Sequence, residues 1–445
     1  MHKVLIANRG EVALRVVRAC RELGLQAVAV YSSADETALH VRDADEAVCV
    51  GKPPARDSYL NAGALIEAAH RTGADAVHPG YGFLSENAGF ARRCQDEGLT
   101  WVGPSPEAIT AMGDKAAARE LARQAGVPIV PGTAGTIGPS QAPGAAAGLG
   151  YPVMIKAAGG GGGKGIRVAR DEAQLRAGIA DAAREAQAAF GNPALYIEKL
   201  IERPRHVEIQ VLGDAHGNVI HLHERECSVQ RRRQKLLEES PSPAIGRRTR
   251  EDMAAAAVRI AKAAGYTSAG TVEFIVDDEE NFYFIEMNTR IQVEHPLTEM
   301  VTGIDLVKEQ LHAAAGEPLT ITQADVVPRG WAMEFRINAE DPDADFRPSP
   351  GKITGLEFPG GPGVRLDTAI YAGYSIPPFY DSLVAKLVVW GRDRQEAIAR
   401  GRRALREFTI GGIATTIPLH LRLLADAGFQ RGEYHTQYLD GVVLA

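Results

Sequence analysis

The chain has 445 residues, of which 45% are hydrophobic and 24% charged, enough for two or three globular domains with large cores. Its net charge of −7, from 49 basic against 56 acidic residues, excludes a chain-wide field for nucleic acid or an anionic membrane, so an anionic substrate must be drawn by local charge. Cys20, Cys49, Cys94 and Cys227 form no C-x-x-C pair, the apolar run at residues 3–7 is too short for a signal peptide, and the longest uncharged stretch, residues 132–155, holds too much Gly and Pro to span a bilayer; together these predict a cytoplasmic protein with reduced thiols.

Residues 3–7, 26–31, 74–78 and 100–102 are short β-branched runs, and residues 11–23 and 62–71 are helix-like. This βαβ rhythm predicts a parallel sheet over residues 1–113. Gly24 stands where a helix ends, and the loops at 79–82 and 103–104 fall at strand C-termini, where open α/β sheets keep their ligand crevices. No G-x-G-x-x-G follows the first strand, which argues against a dinucleotide site.

Residues 126–150 are rich in Gly, Pro, Ala and Ser and read as a linker into a small module ending near Ile201, so residues 114–201 form one unit. Within it, a strand at 152–156 runs into five consecutive glycines, including Gly161, Gly162 and Gly163, followed by a strand at 166–169. Ordering five glycines costs much chain entropy, which suits bare N–H groups against an anion or a flap that opens and shuts. The loop is no P-loop: Ala158 stands five before Gly163, Gly165 replaces the metal-binding Ser or Thr, and a strand follows. A mobile lid over phosphates, flanked by Lys156 and Lys164, is the better reading.

The last unit, residues 202–445, carries strands at 206–212, 219–223 and 331–337 and helices near 250–264 and 303–315. Arg231, Arg232, Arg233 and Lys235 put four positive charges into five residues, beside Ser228, Gln230 and Gln234 as neutral hydrogen-bonding groups. That pairing suits phosphate oxygens and a small planar anion.

Residues 270–277 and 281–287 flank a polar turn and read as a β-hairpin. With the turn centred between Glu279 and Glu280, Glu273 faces Glu286. Carboxylates with Cβ atoms about 4.5–5.5 Å apart repel unless something neutralises them. A divalent cation does so, with Asn288 on the same strand face as a further oxygen donor, which predicts a magnesium nucleotide. The following run to Pro296 adds a guanidinium, a second amide and another carboxylate, the composition of a metal and anion site.

Six strings carry a resemblance: residues 6–15 (IANRGEVALR), 78–87 (HPGYGFLSEN), 112–115 (MGDK), 156–163 (KAAGGGGG), 286–295 (EMNTRIQVEH) and 336–341 (RINAED). In this order they closely resemble biotin carboxylase, the ATP-grasp component of biotin-dependent carboxylases. The resemblance implies an α/β ATP-grasp fold: an N-terminal Rossmann-like domain (1–113), a lid (114–201) and a C-terminal mixed or antiparallel sheet domain (202–445). It implies carboxylation of biotin N1′ with ATP and bicarbonate, with Mg²⁺ or Mn²⁺.

By the same resemblance, Lys115 and Lys156 look like phosphate ligands, Glu198, Lys199 and Ile201 like an adenine clamp, and His206, Gln230 and the lid glycines like further nucleotide contacts. Glu273, Glu286 and Asn288 look like the metal ligands, and Lys235, Arg290, Gln292 and the Val293 backbone like the bicarbonate pocket. Glu294 would be the general base and Arg336 would stabilise the biotin enolate; the plainer alternative for Arg336 is a salt bridge to Glu340 or Asp341. One departure is Arg233, where the family usually has a nucleotide-contacting histidine. It is the sequence support for a rival reading as a non-catalytic ATP-binding subunit; a second rival is another carboxylate-amine ligase.

No biotinylation segment or acyl-CoA domain is visible, so the biotinylated carrier and the carboxyltransferase are expected from elsewhere, in trans or along a longer chain. Acetyl-CoA carboxylase is the first expectation, with propionyl-CoA or another acyl-CoA, pyruvate or urea as other acceptors. A homodimer is expected through surfaces containing Arg15 and Tyr380-Asp381-Ser382, with no nucleic acid or membrane partner.

Overall fold

The computed structural model describes residues 1–133, 135–157, 166–190 and 194–442. β1 (Lys3–Ile6), β2 (Gln26–Ser32), β3 (Glu46–Gly51), β4 (Ala76–His78) and β5 (Thr100–Trp101) form a parallel sheet in the order β3-β2-β1-β4-β5. Alternation of side chains across β1 explains its continuous apolar run. Leu5 packs with Val28, Leu65, Phe90 and Trp101 on one face. Val4 and Ile6 pack on the other with Val16 and Val17, and there they meet Ile291, Leu306 and Leu311 from the C-terminal half. The domain is thereby seated on the rest of the molecule.

β6 (Val153–Ala157), β7 (Ile166–Ala169) and β8 (Leu195–Lys199) form a small antiparallel sheet with β6 in the middle. Val153, Ile155, Leu195 and Ile197 pack beneath helix Glu172–Phe190 through Leu175 and Ile179. Gly161, Gly162, Gly163 and Lys164 lie outside the described residues.

The large sheet is antiparallel throughout. β9 (Arg205–Gly213), β10 (Val219–Arg231), β11 (Gln234–Ser240), β12 (Ser268–Val276), β13 (Phe282–Asn288) and β14 (Trp331–Asn338) join strands Val364–Thr368 and Leu383–Gly391. The order is β13-β12-β9-β10-β11-β14, then Leu383–Gly391, then Val364–Thr368. Along β9 the two faces separate. Val207 and Ile209 enter a core with Met253, Ala257 and Ile260 of helix Arg247–Ala263, joined by Met112 and Ala118 of the helices Pro106–Gly113 and Lys115–Gln124. Glu208 and Gln210 point the other way and are nevertheless fully buried. A sheet face that buries acids and amides must pair them, and that pairing builds the site.

Candidate active site

A cleft of about 1580 Å³ opens between the N-terminal domain, the small sheet and the polar face of the large sheet. Every described residue singled out above as a ligand or catalytic group lines it.

β12 and β13 set Glu273 opposite Glu286 and Thr271 opposite Asn288. The expected facing pair is therefore present, but by a different route. The turn is a three-residue loop with Glu280 at φ +62°, so the pairs nearest it, Val276 with Phe282 and Phe274 with Phe284, are centred on Glu279 itself. Ile285 is then an extra residue that shifts the register by one and brings Glu286 into line.

The neutralisation also differs from expectation. Glu273 receives Lys235 Nζ and His206 Nε2, each at 3.0 Å, while Glu286 lies 3.6 Å from Lys115 Nζ. Burial pushes the Glu273 carboxyl up, but Lys235 and His206 outweigh it and hold the group well below the usual carboxylate range. Asn288 Nδ2 donates to Glu273 Oε1 at 2.9 Å, and its Oδ1 accepts from Arg290 Nη2 at 3.1 Å. Protein cations thus supply part of the charge that the sequence assigned to a metal. Glu286 keeps a partly exposed carboxylate, so Glu286, Glu273 and Asn288 still form an oxygen-donor set suited to a hard cation. Two other groups with metal-ligand spacing, His206–Glu208–Glu273 and Glu208–Cys227–Glu294, supply the three acids that hold the Lys235 ammonium.

Toward the small sheet, Lys156 bonds Glu198, which also takes Arg119 Nη1 at 2.8 Å. The Lys199 ammonium turns away, to the carbonyls of Gly150 and Tyr151 at 3.1 Å each. Of the expected clamp, the Glu198 carboxylate and the Lys199 ammonium are therefore already engaged within the chain.

At the other end, Lys235 Nζ sits among Glu208 at 2.6 Å, Glu273 at 3.0 Å and Glu294 at 2.6 Å. Glu294 immediately precedes helix His295–Thr302, and its second oxygen meets Arg336 Nη2 at 2.9 Å. Arg336 also grips Glu238, with Nε 2.6 Å from Oε1, and makes no ion pair with Glu340 or Asp341 among the described residues. Burial raises the Glu294 carboxyl, yet Lys235, Arg336 and Arg225 together hold it well below its usual range, so it stands ionised. Glu238 moves the opposite way: burial and the nearby Glu294 charge exceed the help from Arg336 and push it up to about 7. Arg290 is anchored by Glu86 at 2.9 Å, and the Val293 carbonyl accepts from the fully buried Lys386 at 3.0 Å.

The basic run divides. Arg232 and Arg233, at φ +48° and +68°, form the two-residue turn between β10 and β11, which places Gln230 opposite Lys235. Lys235 enters the cage, while Arg231 and Arg232 pair with Asp345. Arg233 makes no ion pair among the described residues. Of the four, Lys235 is the one that bonds the buried acids, while Arg232 and Arg233 stay on the cleft wall at the turn. The expected self-association residues are also committed within the chain. Arg15 binds Glu299 at 2.9 Å and Asp305 at 2.5 Å, and Tyr380, Asp381 and Ser382 line the cleft.

Glu208, Arg225, Glu238, Glu86 and Lys386 escaped the sequence reading. His206, Glu208 and Gln210 alternate with Val207, Ile209 and Val211, and that polar stripe in an apolar strand was the available signal for Glu208.

Comparison with known proteins follows the same geometry. The model for the biotin carboxylase N-terminal domain matches residues 1–109, that for the carbamoyl-phosphate synthase L chain ATP binding domain matches 114–322, and that for the biotin carboxylase C-terminal domain matches 334–441. Biotin carboxylase 1 of Bacillus subtilis (strain 168) is 60% identical over 440 residues, covering 98% of both chains. A pyruvate carboxylase subunit of Methanothermobacter thermautotrophicus is 54% identical over 98% of this chain and 89% of its own. The solved biotin carboxylase domain dimer of Hydrogenobacter thermophilus 2-oxoglutarate carboxylase, in complex with MgADP, ADP and bicarbonate, superposes with a TM-score of 0.91 at 51% identity, covering 98% and 97% of the two chains. Among the described residues no helix is long and apolar enough to cross a membrane. With its parallel-sheet domain, small sheet and antiparallel sheet arranged as in these ATP-dependent ligases, the chain belongs to the biotin carboxylase family.

Proposed function

We propose that this enzyme carboxylates N1′ of biotin on a carrier protein, using ATP and bicarbonate through carboxyphosphate, as the first half-reaction of acetyl-CoA carboxylase. The observation that carries the chemistry is Glu294, an ionised, buried carboxylate held between Lys235 and Arg336. Lys115, Lys156, His206, Gln230 and Arg233 would hold the nucleotide, with Glu198, Lys199 and Ile201 at its base end. Glu273, Glu286 and Asn288 would hold Mg²⁺ or Mn²⁺, which when bound neutralises phosphate charge.

Bicarbonate would sit against Lys235, Arg290, Gln292 and the Val293 backbone. Glu294 takes its proton, and the freed oxygen attacks the γ-phosphorus, giving carboxyphosphate and ADP. Carboxyphosphate breaks down to CO₂ and phosphate, and phosphate takes the N1′ proton. The biotin enolate so formed is stabilised by Arg336 and attacks CO₂. Lys235 and Arg336 hold Glu294 at low basicity. Bicarbonate entering among the cations would share those contacts and raise the basicity of Glu294 when the proton must move.

The test is ADP release that requires bicarbonate and rises with free biotin. ATP binding without turnover would favour a non-catalytic subunit, the reading that Arg233 supports. Turnover with an amine in place of biotin would favour another ligase. Relatives that serve pyruvate and 2-oxoglutarate carboxylases support a second reading of the final acceptor. Affinity capture of the biotinylated partner, followed by assays with acetyl-CoA, propionyl-CoA, pyruvate, 2-oxoglutarate and urea, decides it. We also propose a homodimer, in line with the dimeric relative, and a cytoplasmic location, in line with four free cysteines.

A further inference from the structure

Gln292 carries one acceptor and one donor group at its tip, and which of them faces the cleft decides whether it attracts or repels an anion. Its Oε1 accepts from Arg225 Nη2 at 3.0 Å, which leaves Nε2 turned toward Glu273 Oε1 at 2.9 Å. Arg225 is fully buried and does not line the cleft. Its remaining bonds run from Nε to Glu208 Oε1 at 2.6 Å, from Nη1 to Gln210 Oε1 at 2.7 Å and Thr298 Oγ1 at 2.9 Å, and from Nη2 to Thr271 Oγ1 at 3.1 Å. A guanidinium has five N–H donors, and here all five are used. The other oxygen of Glu208 holds Lys235 at 2.6 Å.

One planar cation therefore fixes two groups that face the anion position: the amide of Gln292 directly and the ammonium of Lys235 through Glu208. We infer that Arg225 is a positioning residue for bicarbonate, turning the Gln292 NH₂ into the pocket and setting the height of Lys235 above it. This rests on the proposed function. Without Arg225 the Gln292 oxygen loses its donor, and only the Glu273 carboxylate still holds the NH₂ side in place. Lysine is no substitute, because a point ammonium keeps the charge beside Glu208 but lacks the flat fork that reaches Gln292 as well.

The test compares the full-length wild type with Arg225→Lys in two measurements: steady-state ADP release, and a ¹³C-bicarbonate line-broadening titration in the presence of MgADP, which needs no turnover. The expected result for Arg225→Lys is a bicarbonate KM raised by about 30-fold with the ATP KM within about threefold, and bicarbonate binding weakened by a similar factor in the titration. Thr298→Val removes one of the five acceptors without touching the charge, and is expected to raise the bicarbonate KM about threefold. Unchanged bicarbonate affinity in Arg225→Lys, or equal losses of ATP and bicarbonate affinity, would overturn the inference. If Arg225→Lys does not fold, unchanged bicarbonate affinity in Thr298→Val overturns it. Failure of the wild type to release ADP in response to bicarbonate would instead overturn the proposed function, and the titration keeps the two outcomes apart.

Discussion

The two ends of the cleft are built on different principles. At the end proposed for the nucleotide, Lys115 and Lys156 have side chains 67% and 37% exposed, each joined to one acid. At the end proposed for bicarbonate, Lys235 and Arg336 are 12% and 15% exposed and locked into a network with Glu208, Glu238, Glu273 and Glu294. Exposed pairs are worth little to stability and are readily exchanged for a ligand's oxygens. Buried networks resist exchange and hold geometry. The end proposed for the nucleotide therefore has contacts that exchange readily, and the end proposed for bicarbonate has contacts that hold their geometry.

The sharpest way to break this contrast is Glu294→Gln. It keeps the size of the group but removes the charge shared by Lys235 and Arg336, and bicarbonate-dependent ADP release is expected to fall about 10³-fold, with ATP binding retained in a nucleotide titration. Next in size is Lys156→Met at the exposed end. The ATP KM should rise about tenfold while the thermal midpoint stays within about 2 °C, because Lys156 is partly exposed and the buried Glu198 keeps its pair with Arg119. A midpoint drop as large as that of a buried-network variant would erase the distinction.

Glu238→Gln sharpens the buried side through pH. A carboxyl raised from 4.5 to about 7 on folding contributes stability below the unfolded value that is lost as pH climbs through the folded one. The wild type is therefore expected to lose stability between pH 4.5 and 7 by an amount that Glu238→Gln does not. The midpoint of the variant relative to wild type should rise by about 3 °C across that window in thermal melts, and a flat difference would count against the assignment. The smallest effect belongs to Arg233→His. The residue sits on an exposed turn with no ion pair among the described residues, so the ATP KM should change less than about threefold.

The same contrast explains what could be read from the chain. The parallel sheet announced itself through short apolar runs, but β3 alternates exposed and buried residues at a sheet edge and gave no such run. The groups that line the cleft were legible because they sit in distinctive strings. Their anchors were not: Glu86 reaches Arg290 from 204 residues away, and Glu238 reaches Arg336 from 98. Only pairing between distant strands brings such residues together, and local pattern carries no record of it. The four-charge run could be divided into roles only with the fold in hand, for a related reason. Charge density can be counted along a sequence, whereas the direction of each guanidinium depends on a turn with two consecutive positive φ values.

The extra residue at Ile285 uncouples two histories. Because the register that matters is set between the loop and the acids, residues 278–280 can lengthen, shorten or drift in composition while Glu273 and Glu286 stay opposite one another. Straightening the bulge with Ile285 still in place is a different event: Ile285 would take the position opposite Glu273, and Glu286 and Asn288 would turn to the far side of the sheet together. What the hairpin has to keep is the kink at Ile285, not the length or composition of its tip.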